Sequence, residues 1–400
     1  MDLEERLALL KNIAGDKGEI VTEKELKILL ETKSEPVAYD GFEPSGFAHL
    51  PLGVYRPLLL RDIVKAGVRF KLLLADTFAW INNKLGGDIE KIREAARYFV
   101  EVWRVSGENL GLDFSKVEVV WHKDFFDDPE YWRKVLLIAK SHTLKRTARA
   151  LTIAGRVARE EQPTAFYFYP SMQCADIFHI KADICQLGLD QRKVNVLARE
   201  IATTEFAGRP LYMWLGYEGC GVNGKPVLLH HRMLPSLGSP VEVTGGFDEE
   251  ALVDVAISSK MSKSKPETSI YVHDPPEVIE RKVRRAFCPP QSKIKLTVRR
   301  KVGGQEKTEE VVVENPVLVY VKEIVFRAYG RFELMGKREE TYYDYSELER
   351  DYDAGKIDPL DLKISLARAL DSLIAPVRRH FEEGPGRKLY ELVRTFEVTR

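Results

Sequence analysis

Residues 36–50 read PVAYDGFEPSGFAHL, and this stretch decides the fold of the chain. It begins as a short strand, passes through a turn rich in Gly, Pro and Ser, and leads into apolar residues at helical spacing from about Leu52 to Ala66. A glycine-bearing turn between a strand and a helix directs backbone N–H groups and the helix dipole toward an anion, as in nucleotide-binding α/β units. His49 lies at this turn, and taken alone it is better explained as an ordinary loop or N-cap residue.

The alternation of strand and helix continues beyond this stretch. Phe70–Ala75 is mostly apolar, as expected of a buried parallel strand, and Asp76 ends it. Helical spacing predicts a helix over Asp88–Leu110, and Val117–Trp121 is predicted to be the next strand. Such alternation indicates a doubly wound parallel sheet, in which ligands bind outside the carboxyl ends of the strands. Three polar side chains fall at those ends: Tyr39, His49 and Asp76.

Length and composition bound the class of protein. Four hundred residues are too many for one compact core and predict two domains, with room for an inserted module. Lys+Arg and Asp+Glu both number 61, so nucleic acid would have to be bound by local basic patches. The cysteines are far apart in the sequence, which argues against a zinc site or a disulfide framework and fits a reducing cytoplasm: Cys174, Cys185, Cys220 and Cys288. Neither a signal peptide nor an apolar run of about 20 residues is expected.

A second group of polar residues lies within residues 167–177, which read YFYPSMQCADI. Pro170 follows an aromatic strand end and is predicted to open a helix, on which Gln173 and Asp176 share one face. With Tyr169 at the helix entry, these side chains suit a small polar ligand that carries hydrogen-bond donors. Helix capping and a surface carboxylate are the alternative. Further along, Gly188 permits the close backbone approach that a ribose or adenine requires.

Residues 260–264 read KMSKS and place two lysines three positions apart among serines. On a mobile loop the two ammonium groups can meet one polyphosphate, where lysine acts as a point charge. Such cations matter most where charge builds on a leaving pyrophosphate. An exposed, solvated turn is the simpler explanation of such a run taken alone. Residues 133–159, including Arg149, are locally basic, and a solvated helix face explains them as well as a phosphate-following surface.

Four segments together point to a known family: Tyr39–Gly46, Tyr169–Asp176, Asp190–Lys193 and Lys260–Ser264. Their order and context resemble the tyrosyl-tRNA synthetases of the archaeal and eukaryotic type, which are class I aminoacyl-tRNA synthetases. The resemblance covers about residues 36–382 and is weak in 205–258 and 290–315. It implies an α/β fold with a Rossmann-like, doubly wound catalytic domain and a mostly helical C-terminal anticodon-binding domain.

The resemblance also implies a domain plan. We expect a helical segment over residues 1–34 and the catalytic domain over 35–258, with an inserted dimerisation and acceptor-stem module at about 95–165. The KMSKS loop and a linker would occupy 259–274, and the anticodon-recognition domain 275–400. The protein would be a cytoplasmic homodimer, with these apolar side chains available for burial at its interface: Phe99, Val102, Trp103, Phe125 and Phe126.

Individual residues receive roles from the same resemblance. Tyrosine would be bound by Tyr39, Tyr169, Gln173, Asp176 and Gln191, the first and fourth of these reading its phenolic hydroxyl. ATP, as a substrate, would be bound by Gly46, His49, Gly188, Asp190, Lys260, Ser262 and Lys263. The catalytic members would be His49, Lys260 and Lys263. The tRNA would contact Arg149, Arg192, Lys193 and Asp361. Mg²⁺ would accompany ATP, and neither a metal held by the protein nor a prosthetic group is expected.

One departure from the family keeps two alternatives open. After His49 and Leu50 the family has Gly-His, whereas this chain has Pro51-Leu52-Gly53, so the second histidine of the element is absent. A catalytically inactive, synthetase-like RNA-binding protein is one alternative, although the intact loop lysines speak against it. A tryptophanyl-tRNA synthetase, which shares the fold and the loop, is the other. Indole offers only a hydrogen-bond donor, so Tyr39 opposite Asp176 is less natural for tryptophan.

Overall fold

A six-stranded sheet forms the centre of the molecule, which we describe from a computed structural model over residues 1–151, 163–239, 260–261, 266–302 and 305–396. Its strands lie in the order β1-β8-β5-β2-β3-β4 and comprise β1 (Glu19–Val21), β2 (Val37–Phe42), β3 (Arg69–Leu74), β4 (Val117–Trp121), β5 (Ile184–Cys185) and β8 (Val227–His230). All neighbouring strands are parallel except β1, which runs antiparallel to β8. Separate antiparallel pairs are formed by β6 (Glu205–Phe206) with β7 (Arg209–Pro210), β9 (Lys293–Val302) with β10 (Gln305–Glu314), and β11 (Phe332–Leu334) with β12 (Glu340–Tyr342).

Helices cover the sheet and make up most of the C-terminal part. Those up to residue 214 are α1 (Leu3–Ala14), α2 (Glu23–Thr32), α3 (Arg56–Lys65), α4 (Asp76–Ile81), α5 (Ile89–Asn109), α6 (His122–Phe126), α7 (Pro129–Lys140), α8 (Leu144–Leu151), α9 (Ala165–His179), α10 (Arg192–Ala202) and α11 (Leu211–Trp214). The later ones are α12 (Pro276–Arg284), α13 (Pro316–Tyr320), α14 (Arg327–Tyr329), α15 (Tyr345–Asp353), α16 (Pro359–Glu382) and α17 (Arg387–Arg394). Among the described residues, none of these helices combines the length and the apolar character needed to cross a membrane. The predicted α/β class with a helical C-terminal part is confirmed.

Local sequence signals explain where several elements begin. Asp2 and Thr22 each close a capping box with a glutamate three residues later, which starts α1 and α2. Pro359 in the first turn and the Asp358 side chain at the N-cap start α16. The strands β3 and β4 and the helix α5 lie within a residue of their predicted bounds.

The strand order locates the ligand-binding edge of the sheet. From β2 the chain builds β3 and then β4 on one side, and β5 is then added on the other side of β2. Tyr39 pairs in register with Lys71 on β3 and with Cys185 on β5. This reversal is a topological switch point, where the loops after β2 and β5 part and leave a crevice. The predicted site residues after β2 therefore face those after β5.

A π-helical turn over Pro51–Tyr55 replaces the regular helix start that was predicted near Leu52. The His49 carbonyl accepts hydrogen bonds from both Leu52 N and Gly53 N, at 2.9 and 2.8 Å. Gly53 packs so closely that a β-carbon built on it would lie 2.2 Å from Val272 Cγ1. The turn is also bonded to the segment after the KMSKS loop, because Leu50 N donates to the Ile270 carbonyl at 2.7 Å. The segment around Ile270 is thereby held beside the turn that carries His49.

Two predictions about helical segments are wrong. Pro170 does not open its helix: α9 begins at Ala165, and Pro170 lies inside it. The local sequence did not distinguish an aromatic strand end from an exposed first helical turn, and a proline near a helix start fits either arrangement. The apolar residues expected at a dimer interface are also largely used within the chain. Phe99, Val102, Trp103 and Phe125 are buried in its own core, and Phe126 packs against that core.

Candidate active site

Two cavities lie side by side at the switch point. The smaller, of about 210 Å³, is lined by Tyr39, Gly41, Phe42, Glu43, Leu73, Ala75, Phe78, Tyr169, Gln173, Asp176, Leu187 and Gln191. The larger, of about 270 Å³, holds among others Ser45, His49, Gly188, Asp190, His231 and Lys260. Both cavities share Gly41, Phe42, Glu43 and Gln191. The carboxyl end of β2 therefore forms a common wall along which two ligands can meet.

The closed end of the smaller cavity carries a buried hydroxyl and a buried carboxylate. Tyr39 is 1 % exposed, and its hydroxyl has no hydrogen-bond partner among the described residues. Burial first, and to a lesser extent neighbouring groups that include Asp176, raise the pKa of Tyr39 well above its usual range. Asp176 is 2 % exposed. A buried hydroxyl without a partner is costly unless a ligand supplies one, so this end is suited to a polar group.

Two residues that the sequence did not single out hold Asp176. Tyr131 on α7 places its hydroxyl 2.8 Å from Asp176 Oδ1, and His122, directly after β4, places Nε2 at 3.1 Å from the same oxygen. His122 and Tyr131 are both fully buried. Because a carboxylate oxygen only accepts hydrogen bonds, we assign the ring hydrogen of His122 to Nε2. With Oδ1 held in this way, the position of the Asp176 carboxylate is fixed before a ligand arrives.

Polar side chains surround the mouth of the same cavity. The Tyr169 hydroxyl donates to Glu43 Oε1 at 2.6 Å, and Gln173 Nε2 donates to Gln191 Oε1 at 3.0 Å. Asn82 Nδ2 also donates to Glu43 Oε1, at 2.5 Å. The mouth thus gathers a carboxylate and amide oxygens, which attract a cationic group such as an ammonium.

The larger cavity brings together most of the residues predicted to bind ATP. Lys260 Nζ lies 2.7 Å from Asp190 Oδ2. The backbone of Lys260 is held by an antiparallel β-bridge to Pro235. Gly46 is buried with a φ of 56°, a conformation that favours glycine. His49 lines the cavity. Ser262 and Lys263 lie outside the described residues.

The same cavity has a charged wall that the sequence did not reveal. Arg56 and Asp40 form an ion pair of 2.7 Å and are both buried. Arg56 also donates to Gln186 Oε1 at 2.7 Å and is 3.3 Å from His231 Nδ1. Burial raises the pKa of Asp40 to about 7 although Arg56 acts to lower it. Only the tertiary fold reveals this cluster, since Gln186 is 130 residues from Arg56 along the chain.

None of the residues predicted to contact tRNA lines either cavity. Arg192 opens α10 and pairs with Glu19 at 2.7 Å. Burial acts to raise the pKa of Glu19, but hydrogen bonds from His230 and Arg192 lower it to about 2. Lys193 is half-buried, and Arg149 is exposed on α8. Asp361, in the first turn of α16, is 9 % exposed and accepts a hydrogen bond from Lys337 N at 3.0 Å.

The comparisons with known proteins agree with this geometry. The family described as tRNA synthetases class I (W and Y) matches residues 31–375. The tyrosine–tRNA ligases of Pyrobaculum arsenaticum and Thermococcus kodakarensis are 38 % and 37 % identical, and each alignment covers all of both chains. The crystal structure of tyrosyl-tRNA synthetase from Pyrococcus horikoshii, complexed with L-tyrosine, has a TM-score of 0.82 and 36 % identity. The match covers 99 % of this chain and 100 % of that one.

The doubly wound sheet, the paired cavities and the family match define a class I aminoacyl-tRNA synthetase. Within that class the chain belongs to the tyrosine–tRNA ligases, since relatives above 30 % identity that carry this name align over its full length. The predicted family is therefore confirmed, and it is an enzyme family that uses ATP, tyrosine and tRNA. The tryptophan alternative is less supported.

Removing the Tyr131 hydroxyl is expected to weaken tyrosine binding. In Tyr131→Phe, Asp176 Oδ1 keeps His122 but loses its 2.8 Å partner. Hydrogen bonds to charged groups contribute about 1.5–3 kcal/mol, so we expect the KM for tyrosine to rise about 10-fold or more while the KM for ATP is unchanged. Pyrophosphate exchange measures both constants. Tyr342→Phe is the matched control, because that hydroxyl also lies against a carboxylate, Asp351, but outside both cavities. Equal KM values for tyrosine in the two variants would contradict the assignment.

Proposed function

We propose that the smaller cavity binds tyrosine and the larger one ATP, in positions that let the two react. The tyrosine carboxylate attacks the α-phosphorus in line, pyrophosphate leaves, and tyrosyl-adenylate forms. The 3′-terminal hydroxyl of the tRNA then takes the tyrosyl group, and AMP is released. The observation that carries this proposal is the common wall of the two cavities, with a buried hydroxyl at the closed end of one and a lysine in the other. Positioning and electrostatic stabilisation account for the catalysis, without a covalent enzyme intermediate.

The smaller cavity is proposed to read both ends of tyrosine. The phenolic hydroxyl would donate to Asp176 and accept from the Tyr39 hydroxyl, which gives Tyr39 the partner it lacks in the described residues. The α-ammonium would lie at the mouth among Tyr169, Gln173 and Gln191. The contacts between those side chains leave them close enough to act on one group. The α-carboxylate then points toward the shared wall and the ATP cavity.

The larger cavity is proposed to hold ATP with its phosphates toward His49 and Lys260. The turn that contains Gly46 would supply backbone contacts, and Gly188 and Asp190 would lie against the nucleoside. Lys260 and, by the resemblance, Lys263 would neutralise the leaving pyrophosphate. Mg²⁺ would be carried by the phosphates, as is usual for this ion. In the described parts of the chain, no group of three His, Cys, Asp or Glu side chains is placed to hold a metal ion.

The tRNA is proposed to contact charged residues away from the cavities and to reach across two subunits of a cytoplasmic homodimer. Its acceptor end would meet Arg192 and Lys193 of one subunit, with Arg149 nearby, and its anticodon would meet Asp361 of the other. The Glu19–Arg192 ion pair would have to open for Arg192 to bind a phosphate or a base.

The cysteines of the chain are all free, which is compatible with a reducing compartment.

A dimer is the next expected result. Since the apolar residues first assigned to its interface are buried in the protomer, exposed ones on α7 and α8 are better candidates: Leu136 at 60 % and Leu144 at 68 % exposure. Sedimentation at micromolar concentration should give about twice the chain mass of 45.7 kDa. Leu136→Glu should shift it toward monomer, whereas Leu392→Glu, at an apolar position 42 % exposed on α17, should not. A wild-type monomer with full tRNA-charging activity would contradict the proposal.

Pyrophosphate exchange with single amino acids tests the proposed function. We expect tyrosine to support exchange and tryptophan and phenylalanine to support very little. Exchange driven by tryptophan would favour the tryptophanyl alternative. Absence of exchange with all twenty amino acids would favour a catalytically inactive RNA-binding protein. The missing second histidine is the observation that supports this alternative.

A further inference from the structure

His231 lies in the wall of the larger cavity, directly after β8, and no motif of the chain assigns it a role. Its backbone is held firmly, because His231 N donates to the Leu187 carbonyl and the His231 carbonyl accepts from Leu189 N, both at 3.0 Å. These two bonds extend the pairing of β8 with β5 past Gly188. The side chain is 5 % exposed, so its orientation is determined by its immediate neighbours.

Those neighbours determine which ring nitrogen carries the hydrogen. Arg56 donates to Gln186 Oε1 at 2.7 Å, which orients the Gln186 amide so that its nitrogen faces His231. His231 Nδ1 lies 3.1 Å from Gln186 Nε2 and 3.3 Å from an Arg56 nitrogen. Both neighbours are donors, so Nδ1 accepts and Nε2 carries the hydrogen. Burial and then the positive charge of Arg56 lower the pKa of His231 well below its usual range, and the ring is therefore neutral.

The hydrogen on Nε2 is directed to the same small area as the Asp190 carboxylate. A β-carbon built on Gly188 would lie 2.7 Å from Asp190 Oδ1 and 3.6 Å from His231 Nε2. The Met233 sulfur is also 2.7 Å from that point, so a donor, an acceptor and a thioether converge on Gly188, which has no side chain to crowd them. The two hydroxyl groups of a ribose fit such a pair, because each can both donate and accept.

From this geometry we infer that His231 positions the nucleotide: its Nε2–H donates to a ribose hydroxyl oxygen of ATP while Asp190 accepts from the same diol. This inference rests on the proposed binding of ATP in the larger cavity. It places a neutral imidazole donor in the ATP cavity of a chain that lacks the second histidine of the element after His49. It also gives the Arg56–Gln186 pair a function, which is to hold the imidazole in the tautomer that donates into the cavity.

Two conservative substitutions separate this role from a purely structural one. In His231→Asn the amide oxygen replaces Nδ1 as acceptor for Gln186 and Arg56, but the donor at Nε2 is lost. In His231→Gln the amide nitrogen retains a donor near Nε2, but the acceptor at Nδ1 is lost. We expect His231→Asn to keep its melting temperature and to bind a non-hydrolysable ATP analogue about 3- to 10-fold more weakly, as measured by calorimetry without amino acid. His231→Gln should lose stability but bind the analogue more tightly than His231→Asn.

The nucleotide itself provides the second measurement. The wild type should lose affinity for either 2′-deoxy- or 3′-deoxy-ATP, and His231→Asn should lose no further affinity for that one, because the contact is already absent. Unchanged ATP affinity in His231→Asn would overturn the inference, as would an equal loss for ATP and both deoxynucleotides. His230→Asn is the matched control, since the His230 ring contacts Asn195 and Glu19 instead of the cavity. The proposed function fails separately, if tyrosine does not support exchange in the wild type.

Discussion

Lys260→Ala is expected to slow adenylate formation by about 100- to 1,000-fold and to leave the affinity for tyrosine nearly unchanged. The Lys260 side chain is 31 % exposed and its Nζ lies 2.7 Å from Asp190, so its positive charge lies at the edge of the larger cavity. Its interaction with pyrophosphate becomes strong only as charge develops on the leaving group. A contact of that kind affects kcat more than binding of the ground state. Lys263→Ala is expected to behave in the same way.

Single-turnover formation of tyrosyl-adenylate measures the rate, and equilibrium binding of tyrosine measures the affinity. Lys322→Ala is a matched control, because Lys322 is 32 % exposed and pairs with Asp16 at 3.2 Å outside both cavities. It should form adenylate at the wild-type rate. If Lys260→Ala and Lys263→Ala also activate tyrosine at that rate, the role assigned to the KMSKS loop is wrong.

Loss of Asp176 is expected to abolish most of the preference for tyrosine over phenylalanine. The two amino acids differ by one hydroxyl, which a cavity fitted only to the ring distinguishes poorly. A site that hydrogen-bonds the hydroxyl rejects the analogue without it by about 10⁴–10⁵-fold, a range established on tyrosyl-tRNA synthetase itself and thus not an independent result of this structure. With phenylalanine, the buried hydroxyl of Tyr39 would stay without a partner, and Asp176 would keep Tyr131 and His122 but lose the hydrogen bond from the phenolic hydroxyl.

Two variants, Asp176→Ala and the double variant Tyr39→Leu with Asp176→Ala, show whether the cavity selects tyrosine by the shape of its ring or by hydrogen bonds to its hydroxyl. Asp176→Ala should severely impair activation of tyrosine, because the phenolic hydroxyl then enters a cavity without its acceptor. The double variant, with an apolar end to the cavity, should prefer amino acids that lack a phenolic hydroxyl. Exchange assays with tyrosine and phenylalanine give both ratios. A preference for tyrosine that stays at the wild-type level in both variants would mean that these residues do not read the hydroxyl.

The residues that the sequence located are those whose positions follow from local rules. Parallel strands bring their carboxyl ends to one edge of the sheet, so a ligand site near Tyr39 on β2 could be predicted, whereas Asp76, directly after β3 and its one-residue connection, lines neither cavity. The spacing of Gln173 and Asp176 is enough to place them on one helix face, although the helix start predicted from Pro170 was wrong. The same strand-end rule would have found His122, which directly follows β4.

Other parts of the site depend on contacts that no local pattern contains. Tyr131 is 45 residues from Asp176 along the chain, and Arg56 is 130 residues from Gln186. The apolar spacing on α5 predicted a buried face correctly but did not reveal what covers it. Phe99, Val102 and Trp103 pack into the core of their own chain, and only the tertiary fold distinguishes this from a subunit interface.

A crystal structure with a non-hydrolysable tyrosyl-adenylate analogue tests the assignment of the two cavities most directly. The account predicts the phenolic oxygen within hydrogen-bond distance of both Tyr39 Oη and Asp176 at the closed end of the smaller cavity. The ribose should lie over Gly188, with one hydroxyl near Asp190 and His231 Nε2. An analogue bound with its phenol away from Asp176, or with its adenosine outside the larger cavity, would contradict the account.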